Sequence, residues 1–150
     1  MSKNIDATCE ELLTSWLSLS ATVRNERMVK QLTFREVFIC HILYREMKAC
    51  DTPKVTASDI IAQTGMLKSQ ANKVLVTMED NGLILREKSE TDKRKIYIYL
   101  TRKGITCYRE EHAGILKILR QVCHALGDRK IKSFIDAMNT VTDTMNNIEE

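Results

Sequence analysis

One predicted helix near the middle of the chain carries side chains of the kind that bind DNA bases. At about 100° per residue, its outward face presents Ser69, Gln70, Asn72, Lys73, Val76, Thr77 and Asp80. Asn and Gln amides pair bidentately with adenine, Lys binds guanine, and a Ser hydroxyl binds either kind of base edge. An ordinary solvated helix face is the alternative, although such a face would carry more Glu and Lys. The pattern indicates a helix that can read base edges.

The helix that carries this face and the short helix before it both have clear ends in the sequence. The helix itself, called here the reading helix and covering about residues 67–81, has an inward stripe of Leu67, Ala71, Val74, Leu75 and Met78. The preceding helix begins at a capping box of Thr56 and Asp59 and ends at Thr64-Gly65, where glycine tolerates a left-handed backbone. Asn81-Gly82 ends the reading helix in the same way. Two helices joined by a tight glycine turn are typical of a helix-turn-helix.

Beyond Gly82 the apolar period changes from 3.6 to 2, which indicates two strands. This wing covers about residues 83–100, and its charged loop, residues 87–94, has no apolar residue and so projects as a hairpin tip. We expect Asp92 to hold Arg94 in a fixed rotamer through a bidentate pair. An Arg at such a tip suits the negative potential of a narrow minor groove. A charged turn that only keeps the hairpin edge soluble is the alternative.

The run of residues 64–104 resembles the multiple antibiotic resistance regulator (MarR) family of bacterial transcription factors. The matching motifs are Thr64-Gly65, Lys68-Ser69, Leu75, Met78-Glu79, Asn81-Gly82-Leu83-Ile84, Arg86, Asp92-Lys93-Arg94 and Leu100-Thr101-Arg102-Lys103-Gly104. Each motif alone is weak, but their order is specific. The close match covers about a third of the chain, whereas the number and order of helices fit the family over nearly the whole length.

The resemblance implies a mainly α fold with a small β-hairpin wing, which is a winged helix-turn-helix with six helices. In this single domain of residues 1–150, residues 32–101 would form the winged helix-turn-helix. Residues 1–31 and 102–150 would form the dimerisation helices. The resemblance also implies an obligate homodimer that binds a pseudo-palindromic double-stranded operator. Members of the family commonly repress genes and release DNA when a phenolic or other small ligand, or an oxidant, binds.

By the same resemblance, the DNA-binding residues are expected on the reading helix and the wing. They are Lys68, Ser69, Gln70, Asn72, Lys73, Arg86, Asp92, Lys93 and Arg94. Of these, Ser69, Gln70, Asn72 and Lys73 would read the major groove. Arg94 would enter the minor groove with Asp92 as its holder, and Arg86 would meet a phosphate or brace the wing.

Apolar stripes near both ends of the chain favour a dimer independently of the resemblance. They comprise Ile5, Cys9, Leu12, Trp16, Leu19 and Val23; Ile105, Tyr108, His112, Ile115, Leu119, Val122 and Leu126; and Ile131, Phe134, Met138, Val141, Met145 and Ile148. An apolar stripe left in water costs about 25 cal/mol per Å². A two-fold dimer would cover the stripes and place two reading helices about 34 Å apart, which is one turn of DNA.

The segment between the first stripe and the reading module holds a further helix. Thr33 and Glu36 form a second capping box, and apolar residues are dense over residues 34–47, so we expect a central, buried helix. A polar connection at residues 25–30 precedes it, and a short edge strand is expected at Val55.

Positive charge is concentrated on the proposed reading module. The chain has 150 residues, 43% of them hydrophobic, and a net charge of +3. Residues 54–104 hold ten Lys and Arg against six Asp and Glu, whereas the rest of the chain holds thirteen against fourteen. Such a distribution is what nucleic-acid binding requires.

Other classes of protein are disfavoured by what the sequence lacks. There is no signal peptide and no apolar run of about 20 residues, so we expect a cytoplasmic protein without a membrane partner. No nucleophile elbow, glycine-rich phosphate loop or metalloprotease spacing is present, so we do not expect an enzyme. A winged helix used as a protein-interaction module without DNA binding is a further alternative. The retained Gln70, Asn72, Lys73 and Arg94 favour DNA binding.

The cysteines and histidines are expected to be structural. Cys9, Cys40, Cys50, Cys107 and Cys123 show no paired spacing, and their odd number argues against a disulfide framework. Cys9 lies on the first stripe, which suggests burial, although a thiol-based redox sensor using Cys9 is an alternative. Some relatives bind zinc between the helices that carry His41, Cys107 and His112. Because His112 fits an apolar stripe, no metal and no cofactor are expected.

Overall fold

The structure, a computed structural model, describes residues 2–24 and 28–148. Its elements are α1 (Ser2–Arg24), α2 (Phe34–Ala49), α3 (Ala57–Thr64), α4 (Lys68–Asp80), β1 (Ile84–Lys88), β2 (Ile96–Leu100), α5 (Arg102–Leu126) and α6 (Asp128–Asn146). The six helices and the hairpin confirm the predicted winged helix-turn-helix. The chain forms two compact units, residues 1–113 and 114–150, with the boundary inside α5. The predicted connection at residues 25–30 lies partly outside the described residues.

The core of the first unit consists of the inward faces of α2, α3, α4, the first turns of α5 and the wing. Its most deeply buried side chains are Ile39, Cys40, Ile60, Leu75, Met78, Ile84 and Tyr108. Both predicted capping boxes form, at Thr33 with Glu36 and at Thr56 with Asp59. Gly65 ends α3 with a φ of 66°. The helix ends predicted from local sequence are therefore confirmed, and α2 is the central helix.

One residue of the predicted inward stripe of the reading helix, which is α4, was placed wrongly. Ala71, Leu75 and Met78 are completely buried, but Leu67 is 67% exposed. Leu67 is the N-cap residue of α4 and has an extended backbone, with φ −62° and ψ 146°. Its side chain therefore does not follow the face of the helix that begins after it.

The register of the wing decides which of its side chains face the core. Arg86 lies opposite Ile98, and Ile84 lies opposite Leu100, in an antiparallel pair. Since directly opposite residues project to the same face of a sheet, Arg86 shares its face with the buried Ile84 and Ile98. The predicted edge strand at Val55 is wrong. The carbonyl of Val55 accepts one backbone hydrogen bond from β2, but the segment does not form a strand. The amide of the next residue is used instead by the capping box of α3.

The start of α5 is fastened to the wing. The hydroxyl of Thr101 donates to the carbonyl of Gly82 at 2.6 Å and accepts from the N–H of Gly104 at 3.0 Å, which confirms Thr101 as the helix cap. Gly104 is buried, and a Cβ at this position would overlap the carbonyl oxygen of Leu83. Only glycine allows this close approach of helix and wing.

The outer helices leave apolar side chains uncovered in the single chain. The exposed members of the predicted stripes are Ile5, Leu12, Trp16, Leu19, Leu119, Val122, Phe134, Met138, Met145 and Ile148, at 40–65% of their surface. Cys9 is exposed as well, so it is not buried within a single chain as its place on the first stripe suggested. The described residues include no helix with both the length and the hydropathy needed to cross a membrane.

Candidate nucleic-acid interface

The polar face of α4 lies open to solvent, as predicted. Lys68, Ser69, Gln70, Asn72 and Lys73 are all exposed. Val76, which was expected to point outward, is 49% exposed. The apolar face of the same helix is buried, so packing fixes the rotation of α4 about its axis. The candidate base-reading side chains are therefore held outward by the core behind them.

The start of α4 lacks the side-chain cap that α2 and α3 both have. Its N-cap residue, Leu67, makes no capping hydrogen bond. The first N–H groups of a helix have no partner within the helix, and those of Lys68, Ser69 and Gln70 belong to exposed residues. Free amides at the positive end of the helix dipole favour an anion such as a phosphate. Within the described part of the chain, the start of α4 thus combines polar side chains with backbone N–H groups that no side chain caps.

The start of α2 flanks the reading helix. A shallow pocket of about 650 Å³ is lined by residues of both helices, including Thr33, Arg35, Gln70, Lys73 and Thr77. Arg35 is exposed and brings a cation to the side of α4 on which Gln70 and Lys73 lie. No sequence motif indicated Arg35. Its position in the first turn after a capping box is the one signal in the sequence from which its exposure could be expected.

Arg86 braces the wing against the reading helix. Its Nε lies 3.2 Å from Glu79 Oε2. Nε and one terminal nitrogen of the guanidinium are buried and have no aligned hydrogen-bond partner in the described structure, so the contact with Glu79 is an ion pair. This ion pair links β1 to α4, and the role of Arg86 in DNA binding stays a prediction.

The loop of the wing is organised around Ser89, which no sequence motif indicated. Ser89 is buried, and its hydroxyl accepts hydrogen bonds from the N–H groups of Thr91 and Asp92 at 3.3 and 3.2 Å. The carboxylate of Asp92 accepts from the backbone N–H of Arg94 at 3.0 Å. The expected bidentate pair with the Arg94 guanidinium does not form among the described residues, because the spacing of two favours a local Asx turn. Lys93 and Arg94 are both exposed.

Tyr108 lies at the centre of an aromatic and histidine cluster formed by α2 and α5. His41 Nδ1 lies 2.6 Å from the Tyr108 hydroxyl oxygen, and the rings of Tyr44 and His112 lie 5.1 and 5.4 Å from the Tyr108 ring. Burial raises the pKa of Tyr108 to about 12 and lowers the pKa of His41 from its usual value. Over the described ranges, no three His, Cys, Asp or Glu side chains are grouped as metal ligands.

The thiols differ strongly in their surroundings. Cys40 is completely buried in α2, and this burial raises the pKa of its thiol to about 12. Cys9, Cys50 and Cys123 are exposed. Since the thiolate is the reactive form, Cys40 has the character of a structural thiol.

Glu111 fastens α5 to the segment that leads into α2. Its buried carboxylate accepts hydrogen bonds from the backbone N–H of Lys30 at 2.9 and 3.0 Å, from that of Gln31, and from that of Leu32 at 3.1 Å. Three consecutive amides around one carboxylate form a concave anion site filled by the protein itself. No sequence motif indicated this arrangement.

A second cleft shares Phe34, Arg35 and Gln70 with the first pocket, and its lining contains more apolar residues. It measures about 690 Å³ and is lined by Leu19, Ser20, Val23, Phe34, Arg35, Phe38, Thr64, Gly65, Met66 and Gln70. The lining joins α1 and α2 to the turn before α4. Pockets of this size with mostly apolar walls and a few polar groups are suited to small ligands.

An outward polar helix, a wing joined to it by an ion pair and a helix-turn-helix together form a winged helix-turn-helix, the fold that the resemblance to the MarR family implied. The family model described as transcriptional regulator SarA/Rot matches residues 24–110, which is more than half of the chain. The chain belongs to this SarA/Rot family of transcriptional regulators.

Individual relatives agree with this assignment. The chain is 28% identical over 103 residues to the HTH-type transcriptional regulator PetP of Rhodobacter capsulatus, a match that covers 69% of this chain and 58% of PetP. It is 32% identical over 72 residues to the homoprotocatechuate degradative operon repressor of Escherichia coli, covering 48% of this chain and 49% of the repressor. The chain therefore spans about half the length of the curated relatives it matches.

Solved structures share the fold. The S. aureus MepR–DNA complex matches with a TM-score of 0.75 at 15% identity, over 88% of this chain and 96% of the MepR chain. At this identity the likeness concerns the arrangement of helices and wing alone.

Proposed function

We propose that this chain is a sequence-specific, double-stranded-DNA-binding transcriptional regulator that acts as a repressor. The observation that carries the proposal is the exposed polar face of α4, which begins without a side-chain cap and has the wing braced beside it. Lys68, Ser69, Gln70, Asn72 and Lys73 would contact the major groove. Their amides, hydroxyl and ammonium groups match the donors and acceptors of base edges, and the free amides of the first turn suit a phosphate.

The wing would contact DNA on the flank of the site read by α4. Lys93 and Arg94 are exposed on a loop held by Ser89 and Asp92, so a cation is presented from a defined turn. Arg94 suits a narrow minor groove, where the negative potential is strongest. The role of Arg86 would be to keep the wing at a constant angle to α4, because it pairs with Glu79 of that helix.

The active form would be a homodimer on a pseudo-palindromic operator. The apolar stripes of α1 and α6 are exposed in the single chain, and a second copy would remove them from water. A two-fold dimer presents the same helix twice, so it suits an operator whose halves are related by the same symmetry. In keeping with this role, we infer a cytoplasmic binding protein that is not an enzyme.

Release from DNA would follow the binding of a small ligand in the apolar cleft described above. The cleft includes Gln70, which is also a proposed base-reading residue. A ligand there would compete with DNA for the position of this side chain. The cleft thus offers a direct physical connection between ligand binding and loss of DNA affinity.

Substitution of the base-reading residues tests the proposal. An operator is first selected from random double-stranded DNA, and binding of the Asn72→Ala and Lys73→Ala variants is then measured on that operator and on versions with single base-pair changes. We expect each variant to lose about 1–3 kcal/mol of discrimination at its own base pair. Asn139→Ala, an equal change at an exposed position of α6, should bind like the parent. Parent-like binding by both reading-helix variants would show that other residues read the operator.

The dependence of DNA binding on salt distinguishes the proposed function from a protein-interaction module without DNA binding. Affinity for DNA falls steeply as salt is added, because phosphate counterions are released on binding. A protein-interaction module would show no such binding to any DNA fragment at low ionic strength. The exposed cations and amides of α4 favour the DNA-binding function.

A further inference from the structure

The groove between the wing and the start of α3 carries positive charge outside the reading helix. It measures about 680 Å³ and is lined by Lys54, Thr56, Ala57, Ser58, Asp59, Arg94, Lys95, Ile96 and Tyr97. Its three cations, Lys54, Arg94 and Lys95, are all exposed, and Asp59 is its one carboxylate. The groove therefore has an excess of two positive charges. Neither Lys54 nor Lys95 belongs to the residues proposed above to contact DNA.

The carboxylate of the groove is already used within the protein. Asp59 Oδ2 accepts hydrogen bonds from the backbone N–H and from the hydroxyl of Thr56, each at 2.8 Å, and so caps α3. In the parts of the chain that the structure covers, Lys54, Arg94 and Lys95 form no ion pair with a carboxylate. Their charges are thus available to an anion from outside.

The walls of the groove are held by backbone hydrogen bonds. The carbonyl of Val55 accepts from the N–H of Ile98 at 2.8 Å, which ties the residue after Lys54 to β2. On the wing side, the N–H of Lys95 donates to the carbonyl of Asp92, and the carbonyl of Lys95 accepts from the N–H of Ser89, both at 2.9 Å. The side chains of Lys54 and Lys95 therefore extend into the groove from two backbone segments that hydrogen bonds hold in place.

We propose that this groove, the Lys54–Lys95 groove, binds the sugar-phosphate backbone of DNA beside the wing. The inference rests on the proposed DNA-binding function and extends the contact surface beyond α4 and the wing tip. Each DNA strand carries one negative charge per 3.4 Å of axis, so an open groove with unpaired cations on both walls suits it. Lys side chains bind phosphates as point charges and convey position rather than sequence. Arg94 lies in the same groove and would connect the backbone contact with the minor groove.

The dependence of operator binding on salt tests the groove. Each lysine that binds a phosphate contributes about 0.9 to the slope of log affinity against log salt. Because the proposed homodimer presents each lysine twice to one operator, we expect Lys54→Ala and Lys95→Ala each to reduce that slope by about 1.8, and the double variant by about 3.6. Between 50 and 200 mM salt, the affinity of each single variant for the operator should therefore fall about 12-fold less than the affinity of the parent. Lys54→Arg, which keeps the charge, should retain the parent slope.

A matched control is available on α2. Lys48→Ala removes the same charge from an exposed residue outside the groove, whose ammonium lies 5.5 Å from the centre of the Tyr44 ring, and it should keep the parent slope. The groove assignment is overturned if the two groove variants have the slope of Lys48→Ala, or if their loss is confined to single base pairs. If the parent bound the operator with discrimination dependent on Asn72 while the groove variants kept its slope, this assignment alone would fail. If the parent bound no DNA, both proposals would fail.

Discussion

Replacement of Glu111 by Gln removes the charge that holds the segment before α2. The carboxylate accepts from three consecutive backbone amides, those of Lys30, Gln31 and Leu32. A hydrogen bond to a charged group contributes about 1.5–3 kcal/mol, so three such donors set an upper limit of about 4.5–9 kcal/mol. Lys30 and Gln31 are exposed, so water can replace the carboxylate as the acceptor for their amides. Leu32 is buried, so water cannot do so for its amide. We therefore expect Glu111→Gln to lower the free energy of unfolding by about 2–3 kcal/mol, and Glu111→Ala by about 3–5 kcal/mol.

The neighbouring residue gives the control for this measurement. The carboxylate of Glu110 is exposed and accepts from the side-chain amide of Gln31 at 2.8 Å, so Glu110→Gln should change the free energy of unfolding by no more than about 0.5 kcal/mol. Urea unfolding at pH 7, followed by circular dichroism at one fixed protein concentration, compares the variants with the same contribution from dimer dissociation. Equal midpoints for Glu111→Gln and Glu110→Gln would refute the role given to the buried carboxylate.

Two further predictions concern titratable groups. Burial lowers the pKa of His41 from 6.5 in the folded protein, so the unfolded chain takes up a proton at a higher pH than the folded chain does. The stability that the neutral, buried imidazole provides is therefore lost as the pH falls from 6.5 through the folded-state pKa. A urea midpoint that falls between pH 7.5 and 5.5 more steeply in the parent than in His41→Gln would confirm it, and identical profiles would contradict it. Burial also raises the pKa of Cys40 to about 12, which lowers its thiolate fraction about 10³-fold relative to an ordinary thiol. At pH 8 a thiol reagent should therefore modify the exposed Cys50 in the folded protein and Cys40 only after unfolding, as mass spectrometry of peptides can show.

Features that depend on neighbours within about four residues were predictable from the sequence. The capping boxes at Thr33 and Thr56, the turn at Gly65 and the outward position of Val76 all form as expected. An α-helix closes each hydrogen bond over four residues and repeats every 3.6, so its ends and faces follow from local order. Leu67 shows the limit of this reasoning, because the helical period does not apply before the helix begins.

The supports of the candidate site depend on residues far apart in the chain. Leu32 and Glu111 are separated by 79 positions, and no local pattern links them. Arg86 faces inward because of the register between β1 and β2, which its neighbours in sequence do not specify. Lys54 and Lys95 face one groove because Val55 is bonded to Ile98.

The sequence by itself determined the class of protein, the order of the helices and the polar character of the α4 face. These follow from periodicity, caps and side-chain chemistry, which are properties of short segments. The tertiary structure alone decided that Arg86 pairs with Glu79 of α4, that Asp92 accepts from the backbone of Arg94 rather than from its guanidinium, and that Glu111 binds the amides before α2. Such contacts arise where separate elements meet in space, and their geometry is set by the packing of the whole core.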